Sequence, residues 1–264
     1  PFIYEAHNVE SLMKHQMLPD SKIKKELVAQ VFQIEQECCE KSLFIMTCSK
    51  DDQILLNQKY GVSMDKMIEV PNGVDCEEIH FTSISERIEN KKKLGLDQEK
   101  LGVFMGSWHQ PNLEACETIF KIALDCPDTK FLLMGSQCAY FRNRKLPKNV
   151  GLLGLVSKEV KNKVFGTVDF ALNPMASGSG TNLKMFEYMA AGIPVITTEF
   201  GARGIENTES LVVADKKDMA ETINYLRLDH MEIKTRKGRE YVERDYDWKK
   251  ISILIKNKVQ EYGH

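Results

Sequence analysis

The sequence has little of what marks a membrane protein or a nucleic-acid-binding protein. No apolar run approaches the roughly 20 residues that cross a bilayer, and no signal peptide is visible. The 264 residues carry a formal net charge of only −2, which gives no electrostatic reason to expect nucleic acid as a partner. With 42% hydrophobic and 28% charged residues, the composition predicts an ordinary soluble globular protein.

Disulfide and metal-binding patterns are also missing. No two cysteines form a Cys-x-x-Cys pair, and no histidines stand at zinc-site spacing from them. We therefore expect reduced thiols in a cytoplasmic protein, and no bound metal. The seven cysteines are Cys38, Cys39, Cys48, Cys76, Cys116, Cys126 and Cys138.

The length is too short for two complete nucleotide-binding domains, which would need well over roughly 300 residues. The first residues already have the pattern of a buried strand, without a start methionine. We therefore expect a chain that lacks most of its amino-terminal domain.

Strand and helix patterns alternate along the chain, which predicts an α/β protein with parallel sheets covered on both faces. We predict the end of one domain over residues 1–75, a linker near 71–76, a second domain over 76–240, and a closing helix over 241–264. In that helix, Trp248, Ile251, Leu254 and Ile255 have the spacing of a packing stripe. Strands are predicted at 2–6, 42–47, 67–70, 101–105, 130–134, 150–155, 170–172, 194–197 and 210–213, and helices at 24–40, 49–60, 112–126 and 157–166. The triplet 91–93, Lys-Lys-Lys, is expected on a solvated helix face.

The most informative segment, residues 173–197, joins a glycine-rich loop, a short helix and a buried strand. Backbone N–H groups around residues 178–181 would lie at the start of that helix, where the backbone dipole favours negative charge. The loop would also follow the carboxyl end of a strand, where ligands of open sheets bind. It therefore has the features of a phosphate or diphosphate site.

Two common phosphate loops are excluded. Leu183 stands where the dinucleotide fingerprint needs its third glycine. No Gly-Lys-Ser or Gly-Lys-Thr sequence occurs in the chain, so a Walker loop is absent. The glycines alone are equally consistent with a turn that binds nothing.

The short helix carries two long polar side chains, Lys184 and Glu187, three residues apart and so on one face. Met185, Phe186, Met189 and Ala190 supply a face that would pack on a sheet, and Gly192 is a typical helix end. Structurally, Lys184 and Glu187 would form an exposed ion pair worth roughly 0.2–0.5 kcal/mol. Functionally, they would contact a bound ligand.

Residues 173–204 resemble the donor-binding motif of GT-B glycosyltransferases, especially the retaining family four (glycosyl transferases group 1), which reads Gly-Thr-x-Leu-Lys-x-x-Glu-x-Met-Ala-x-Gly-x-Pro-Val. Residues 69–75 resemble the hinge into the second domain of that family, and residues 103–112 its first strand and loop. The resemblance covers essentially the whole chain. It implies a GT-B type fold, with a C-terminal Rossmann-like domain and the last part of an N-terminal Rossmann-like domain.

The resemblance also implies roles for residues of the second domain. Glu187 would accept hydrogen bonds from both ribose hydroxyls, and the backbone at Val156 would hold the base. The backbone of Gly106 and Ser107 would lie against the diphosphate, with Trp108 or His109 beside the sugar. Lys184 would stabilise the diphosphate leaving group, although a solvated helix lysine is an equal alternative. The rest of the implied donor site is Ser179, Gly180, Thr181 and Asn182.

Two departures from the family pattern leave parts of the site open. Ser179 occupies the position of the first glutamate of the family's Glu-x7-Glu motif, which contacts the transferred sugar. No arginine occurs in the Gly106 loop, where many relatives use one on the diphosphate.

In the first domain, His7 directly follows the first predicted strand, and similar enzymes have a His-Asn pair there that contacts the donor sugar or its phosphate. Glu10 is simplest to interpret as a carboxylate at a helix start.

The leading hypothesis is a retaining, metal-independent glycosyltransferase that uses a nucleotide diphosphate sugar and needs no cofactor. The acceptor, whether saccharide, lipid-linked or protein, is left open, and any peripheral contact with a membrane would belong to the missing amino-terminal part. The alternatives are a non-catalytic nucleotide-sugar-binding fragment and another GT-B enzyme, such as a sugar-nucleotide epimerase or a phosphorylase. A phosphorylase needs a pyridoxal-binding lysine and an epimerase needs paired carboxylates and histidines, and neither pattern is evident.

Overall fold

The computed structural model describes residues 2–178 and 182–262, which form two compact units. The first unit contains the residues up to Asn72 together with those from Lys249 onward, and the second runs from Gly73 to Trp248. Each unit has its own parallel sheet, as the alternating pattern predicts. None of the described helices is long and apolar enough to cross a membrane.

The first unit has a three-stranded parallel sheet in the order β1-β2-β3. Ser49 accepts a hydrogen bond from the backbone N–H of Asp52 (3.1 Å), and Gly61 ends the same helix in the left-handed conformation. The predicted cap at Ser49 is therefore confirmed. The elements are β1 Tyr4–Ala6, α1 Glu10–Met17, α2 Lys22–Lys41, β2 Ile45–Thr47, α3 Lys50–Tyr60 and β3 Met67–Glu69. Helix α10 Trp248–Tyr262 also belongs to this unit from its second residue onward.

The second unit has a six-stranded parallel sheet. One hydrophobic cluster contains residues of α6, α7 and α9, and another contains residues of α5 and α8, so both faces of the sheet are covered. The elements are α4 Ile84–Lys93, β4 Lys100–Met105, α5 Gln110–Leu124, β5 Thr129–Met134, β6 Val150–Gly154, α6 Lys158–Phe165, β7 Phe170–Asn173, α7 Leu183–Ala190, β8 Val195–Thr197, β9 Val212–Val213, α8 Met219–Asn224 and α9 Glu232–Asp245.

The strand order β6-β5-β4-β7-β8-β9 puts β4 next to β7 in the middle of this sheet. The chain runs from β4 outward to β6, and then returns to β7 and continues outward in the other direction. Neighbouring connections therefore diverge at the carboxyl ends of β4 and β7, which opens a crevice there. The loops after these two strands are the Gly106 loop and the glycine-rich loop before α7.

Helix α7 packs as the sequence predicts. Met185, Phe186 and Met189 are buried in the core. The helix stops before Gly192, which has φ +68°. An added Cβ at Gly192 would lie 2.6 Å from the ring of Phe81, so a larger residue would have to displace that ring. The predicted helix end is confirmed.

Arg87 of α4 is fully buried and donates hydrogen bonds to five backbone carbonyl groups of three separate segments. One side of its guanidinium binds the carbonyl oxygens of Phe165 and Val168, and the other binds those of Thr82, Ala191 and Gly192. Burial lowers the pKa of Arg87 to about 10, so the side chain stays charged at neutral pH. It therefore ties the end of α6 and the end of α7 to α4.

The prediction that Lys91 lies on a solvated helix face is wrong. Lys91 is 6% exposed, and its ammonium lies 2.7 Å from the carboxylate of Asp169 at the start of β7. The same carboxylate also accepts a hydrogen bond from the backbone N–H of Leu101 (2.7 Å). Of the three lysines, only Lys92 and Lys93 have exposed side chains, because the face of α4 that carries Lys91 packs toward the sheet.

The predicted closing helix over residues 241–264 is also corrected. Helix α9 ends at Asp245, and a new helix, α10, begins at Trp248. Of the predicted packing stripe, Ile251 is 2% exposed, whereas Trp248 and Leu254 are 46% and 47% exposed. The buried face of α10 is therefore narrower than the spacing of apolar residues suggests.

Replacing Arg87 with lysine should destabilise the second unit, because one ammonium cannot satisfy five carbonyl oxygens. We expect the free energy of unfolding to fall by about 3 kcal/mol in urea denaturation. Arg227→Lys, an exposed residue paired with Asp229, is the control and should change it by less than about 0.5 kcal/mol. Equal stabilities for the two variants would contradict this role of Arg87.

Candidate functional site

Two cavities of the second unit contain most of the residues predicted to bind the donor. The first, named here the Lys184 pocket, has a volume of about 310 Å³ and contains Gly106, Ser107, Asn182 and Lys184. The second, the Glu187 pocket, has a volume of about 370 Å³ and contains Val156 and Glu187. Helix α7 therefore contributes its first turn to one pocket and its second turn to the other.

Three predicted residues, Ser179, Gly180 and Thr181, lie outside the described residues. Gly178 directly before them lines the Lys184 pocket, with φ +119°. Asn182 directly after them is the N-cap of α7, and its side-chain amide donates to the carbonyl of Gly201 (3.1 Å). The described residues on the two sides of this gap, Gly178 and Asn182, therefore both line the Lys184 pocket.

Lys184 does not pair with Glu187, contrary to the structural interpretation of their spacing. Its ammonium donates to the side-chain Oδ1 of Asn112 on α5 (2.7 Å) and lies 4.3 Å from the centroid of the Phe104 ring. Burial lowers the pKa of Lys184 to about 7. The neighbouring Cys116 thiol stays neutral, since burial raises its pKa to about 12.

No carboxylate is found among the described residues that line the Lys184 pocket. Asn112 is neutral, and an amide oxygen only partly offsets the charge of an ammonium. A pocket with unneutralised positive charge favours an anion.

Arg203 adds a second cation to the Lys184 pocket. Its guanidinium donates to the carbonyl oxygen of Phe200 (3.2 Å) and lies 4.2 Å from the Phe200 ring. Burial lowers the pKa of Arg203 from its ordinary value. Arg203 was not predicted, because the arginine of the diphosphate site was expected in the Gly106 loop. The available signal was its place inside the motif segment, six residues after β8.

The Gly106 loop is held against the pocket by Asn112. The Asn112 amide donates to the backbone carbonyl of Ser107 (3.1 Å), and a Cβ on Gly106 would lie 3.0 Å from the Asn112 side chain. His109 lines the pocket. Trp108 instead lies edge-on to the ring of Tyr140, with the centroids 5.8 Å apart. Of the two residues expected beside the sugar, only His109 reaches this cavity.

Tyr188 ties α7 to the end of β4. Its hydroxyl oxygen accepts a hydrogen bond from the backbone N–H of Met105 (2.7 Å), and the side chain is fully buried. Burial raises the pKa of Tyr188, which keeps the hydroxyl neutral. This contact fixes the distance between the Gly106 loop and Lys184, and nothing in the sequence pattern singled it out.

In the Glu187 pocket, Glu187 forms an ion pair with Lys161 of α6, with 2.9 Å between Nζ and Oε2. The two side chains are 24% and 26% exposed. Val156 lines the same cavity, and so does the half-exposed indole of Trp248. No sequence pattern predicted that Lys161 or Trp248 would line this pocket.

In the first unit, His7 follows the carboxyl end of β1, as predicted. Its Nδ1 lies 3.8 Å from the Sγ of Cys48, and its Nε2 lies 3.6 Å from the carboxylate of Glu5. Helix α1 begins at Glu10, whose backbone N–H donates to the buried carboxylate of Glu35 (2.6 Å). This buried carboxylate fixes the helix start directly after His7.

No group of three or more His, Cys, Asp or Glu side chains in the described part of the chain is placed to hold a metal ion. The seven cysteines are free thiols.

Comparisons with known proteins identify the fold. Residues 99–229 match the model of the family described as glycosyl transferases group 1. No curated protein matches the sequence. The solved structures with a similar fold are GT-B glycosyltransferases, which confirms the predicted GT-B type fold.

Three of these structures illustrate the likeness. Sucrose-phosphate synthase from Thermosynechococcus elongatus has 17% identity and a TM-score of 0.75, over 98% of this chain and 67% of that one. Anabaena Alr3699/HepE, in complex with UDP-glucose, has 15% identity and a TM-score of 0.72, over 99% and 72%. A glycosyltransferase from Rickettsia africae has 14% identity and a TM-score of 0.67, over 99% and 76%.

The unusual environment of Lys184 can be tested directly. We expect its side chain, followed by NMR after ¹³C-methylation of the lysines, to titrate near pH 7, because burial disfavours its charge. Lys184→Arg identifies the resonance by removing it. Titration of Lys184 above about pH 10 would show that its charge is not destabilised.

Proposed function

We propose that this chain, which has the GT-B fold and matches the glycosyl transferases group 1 family model over residues 99–229, transfers a sugar from a nucleotide diphosphate sugar to an acceptor with retention of configuration. The observation that carries the proposal is the Lys184 pocket. It lies at the point where the sheet connections diverge, contains Lys184 and Arg203, and has no carboxylate among its described lining residues.

We assign the diphosphate of the donor to the Lys184 pocket. Lys184 and Arg203 supply positive charge, and the Gly106 loop supplies backbone groups. A leaving diphosphate gains negative charge in the transition state, so cations fixed in advance lower the barrier. With two such side chains in place, we propose a transfer that uses no metal ion and no cofactor.

We assign the nucleoside to the Glu187 pocket. Glu187 follows Lys184 by three residues on α7, a rise of roughly 4.5 Å along the helix axis. A ribose bound at Glu187 would therefore carry its 5′-phosphates toward Lys184. Val156 lines this pocket, which supports its predicted place beside the base.

The reaction we propose needs few catalytic side chains. The acceptor hydroxyl attacks the anomeric carbon on the face from which the nucleotide leaves, so that the bond to the acceptor oxygen forms as the bond to the phosphate oxygen breaks. The acceptor proton passes to the departing phosphate. The protein contributes positioning and charge stabilisation, and we propose that His7 contacts the donor sugar or its phosphate.

Uridine is the first donor base to test, because Alr3699/HepE was crystallised with UDP-glucose. We propose a saccharide, lipid-linked or protein acceptor, a role in glycan biosynthesis and a cytoplasmic location.

Calorimetry with UDP, GDP and their sugars, followed by a hydrolysis assay, tests the donor site. We expect one nucleotide to bind, and Glu187→Ala to weaken its binding by about tenfold or more, because hydroxyl donors would lose a charged acceptor. Glu159→Ala is the control, since Glu159 forms an exposed pair with Lys163 on α6 and should leave binding unchanged. If no nucleotide binds, or if Glu187→Ala leaves nucleotide binding unchanged, the donor site is assigned wrongly.

Donor affinity should also depend on pH through Lys184, whose pKa is about 7 in the free protein. Above pH 7 the side chain must take up a proton to pair with a diphosphate, so the Kd for UDP should rise about tenfold per pH unit. Lys184→Arg stays charged and should give a flat profile between pH 7 and 9. His109→Gln, which replaces the histidine that lines the same pocket, is the control, and its Kd for UDP should keep the wild-type dependence on pH. A flat wild-type profile would contradict the role of Lys184.

A further inference from the structure

The ion pair between Lys161 and Glu187 is a feature that the assigned roles leave unexplained. Lys161 lies on α6, and its ammonium is 2.9 Å from one carboxylate oxygen of Glu187. Both residues line the Glu187 pocket, and each side chain is about three-quarters buried. A pair in such a position is screened less than a surface pair.

Lys161 restricts the conformation of Glu187. A glutamate side chain has several rotamers, and fixing one of them during binding costs conformational entropy. The contact with Lys161 holds one carboxylate oxygen before any ligand arrives. Lys161 is itself restrained, because its ammonium lies 5.8 Å from the centroid of the Phe165 ring.

The other charges of the pocket make Lys161 the cation available to Glu187. Glu78 forms an ion pair with Lys158. Asp75 accepts hydrogen bonds from the backbone N–H groups of Glu77 and Glu78 (both 3.0 Å). Without Lys161, the carboxylate of Glu187 would face two further carboxylates and one ammonium that is already paired.

An ionised carboxylate accepts hydrogen bonds and donates none. The vicinal hydroxyls of a ribose present two adjacent O–H donors, whereas a 2′-deoxyribose presents one. A carboxylate with a fixed orientation distinguishes ribose from 2′-deoxyribose better than a mobile carboxylate does, because its second oxygen cannot turn toward water.

We infer that Lys161 is a positioning residue, which orients Glu187 toward the two hydroxyls of a ribose and so makes the site selective for ribonucleotide donors. The inference rests on the proposed function, since it assumes that a nucleoside diphosphate occupies this pocket. Lys161 acts through Glu187 and takes no part in the transfer itself.

The test compares the Kd for UDP with the Kd for 2′-deoxy-UDP, by calorimetry, with GDP and ADP and their 2′-deoxy forms as further pairs. We expect the wild-type protein to prefer the ribose form by about tenfold or more. Lys161→Met should reduce the ratio of the deoxyribose Kd to the ribose Kd by about fivefold. Lys161→Arg, which keeps the positive charge, should retain the wild-type ratio. A purely electrostatic effect of Lys161 would weaken the ribose and deoxyribose forms equally and leave the ratio unchanged.

Lys163→Met is the matched control, because Lys163 lies on the same helix and pairs with Glu159 at an exposed position; its ratio should equal that of the wild type. If Lys161→Met does not fold, Lys161→Gln replaces it, since glutamine also lacks the charge. Nucleotide binding by the wild type without a ribose preference, or an unchanged ratio in Lys161→Met or Lys161→Gln, would overturn this inference and leave the proposed function standing. Absence of binding to UDP, GDP and ADP by the wild type would overturn the proposed function as well.

Discussion

The buried guanidinium of Arg87 is the interaction on which the geometry of the second unit depends. It binds the last carbonyl groups of α6 and those directly after α7, where the helix dipoles favour a cation. A helix is a rigid rod with a fixed rise per residue. Fixing the carboxyl ends of both helices therefore also fixes the distance between Lys161 on α6 and Glu187 on α7.

The opposite ends of these elements form the site. The Tyr188 hydroxyl holds α7 to β4, and Asn112 contacts both the Gly106 loop and Lys184. The ammonium of Lys184 contacts the neutral amide of Asn112, and no carboxylate is among the described residues of its pocket, so its charge is available to a ligand when the side chain is protonated. Stability and binding thus use different groups. The guanidinium of Arg87 donates to carbonyl oxygens inside the fold, whereas Lys184 and Arg203 line a cavity.

The sequence predicted more of the fold than of the site. Strand and helix positions follow from patterns within about ten residues, and Gly192 and Ser49 end or begin their helices as their chemistry requires. Lys184 and Glu187 were found because the motif is continuous. Their partners were not, since Asn112 and Lys161 lie 72 and 26 residues away along the chain. Lys91 was misjudged for the same reason, because its partner Asp169 lies on a distant strand.

The sequence by itself determined the class of fold, the order of its elements and the segment that carries the motif, because local periodicity and turn chemistry depend on near neighbours. Only the tertiary structure decided that Lys184 and Glu187 serve separate pockets, that Arg203 joins the first and that Lys161 pairs with Glu187 in the second. Equal spacing on a helix face permits many partners. Which one is present depends on the elements that the packing brings alongside.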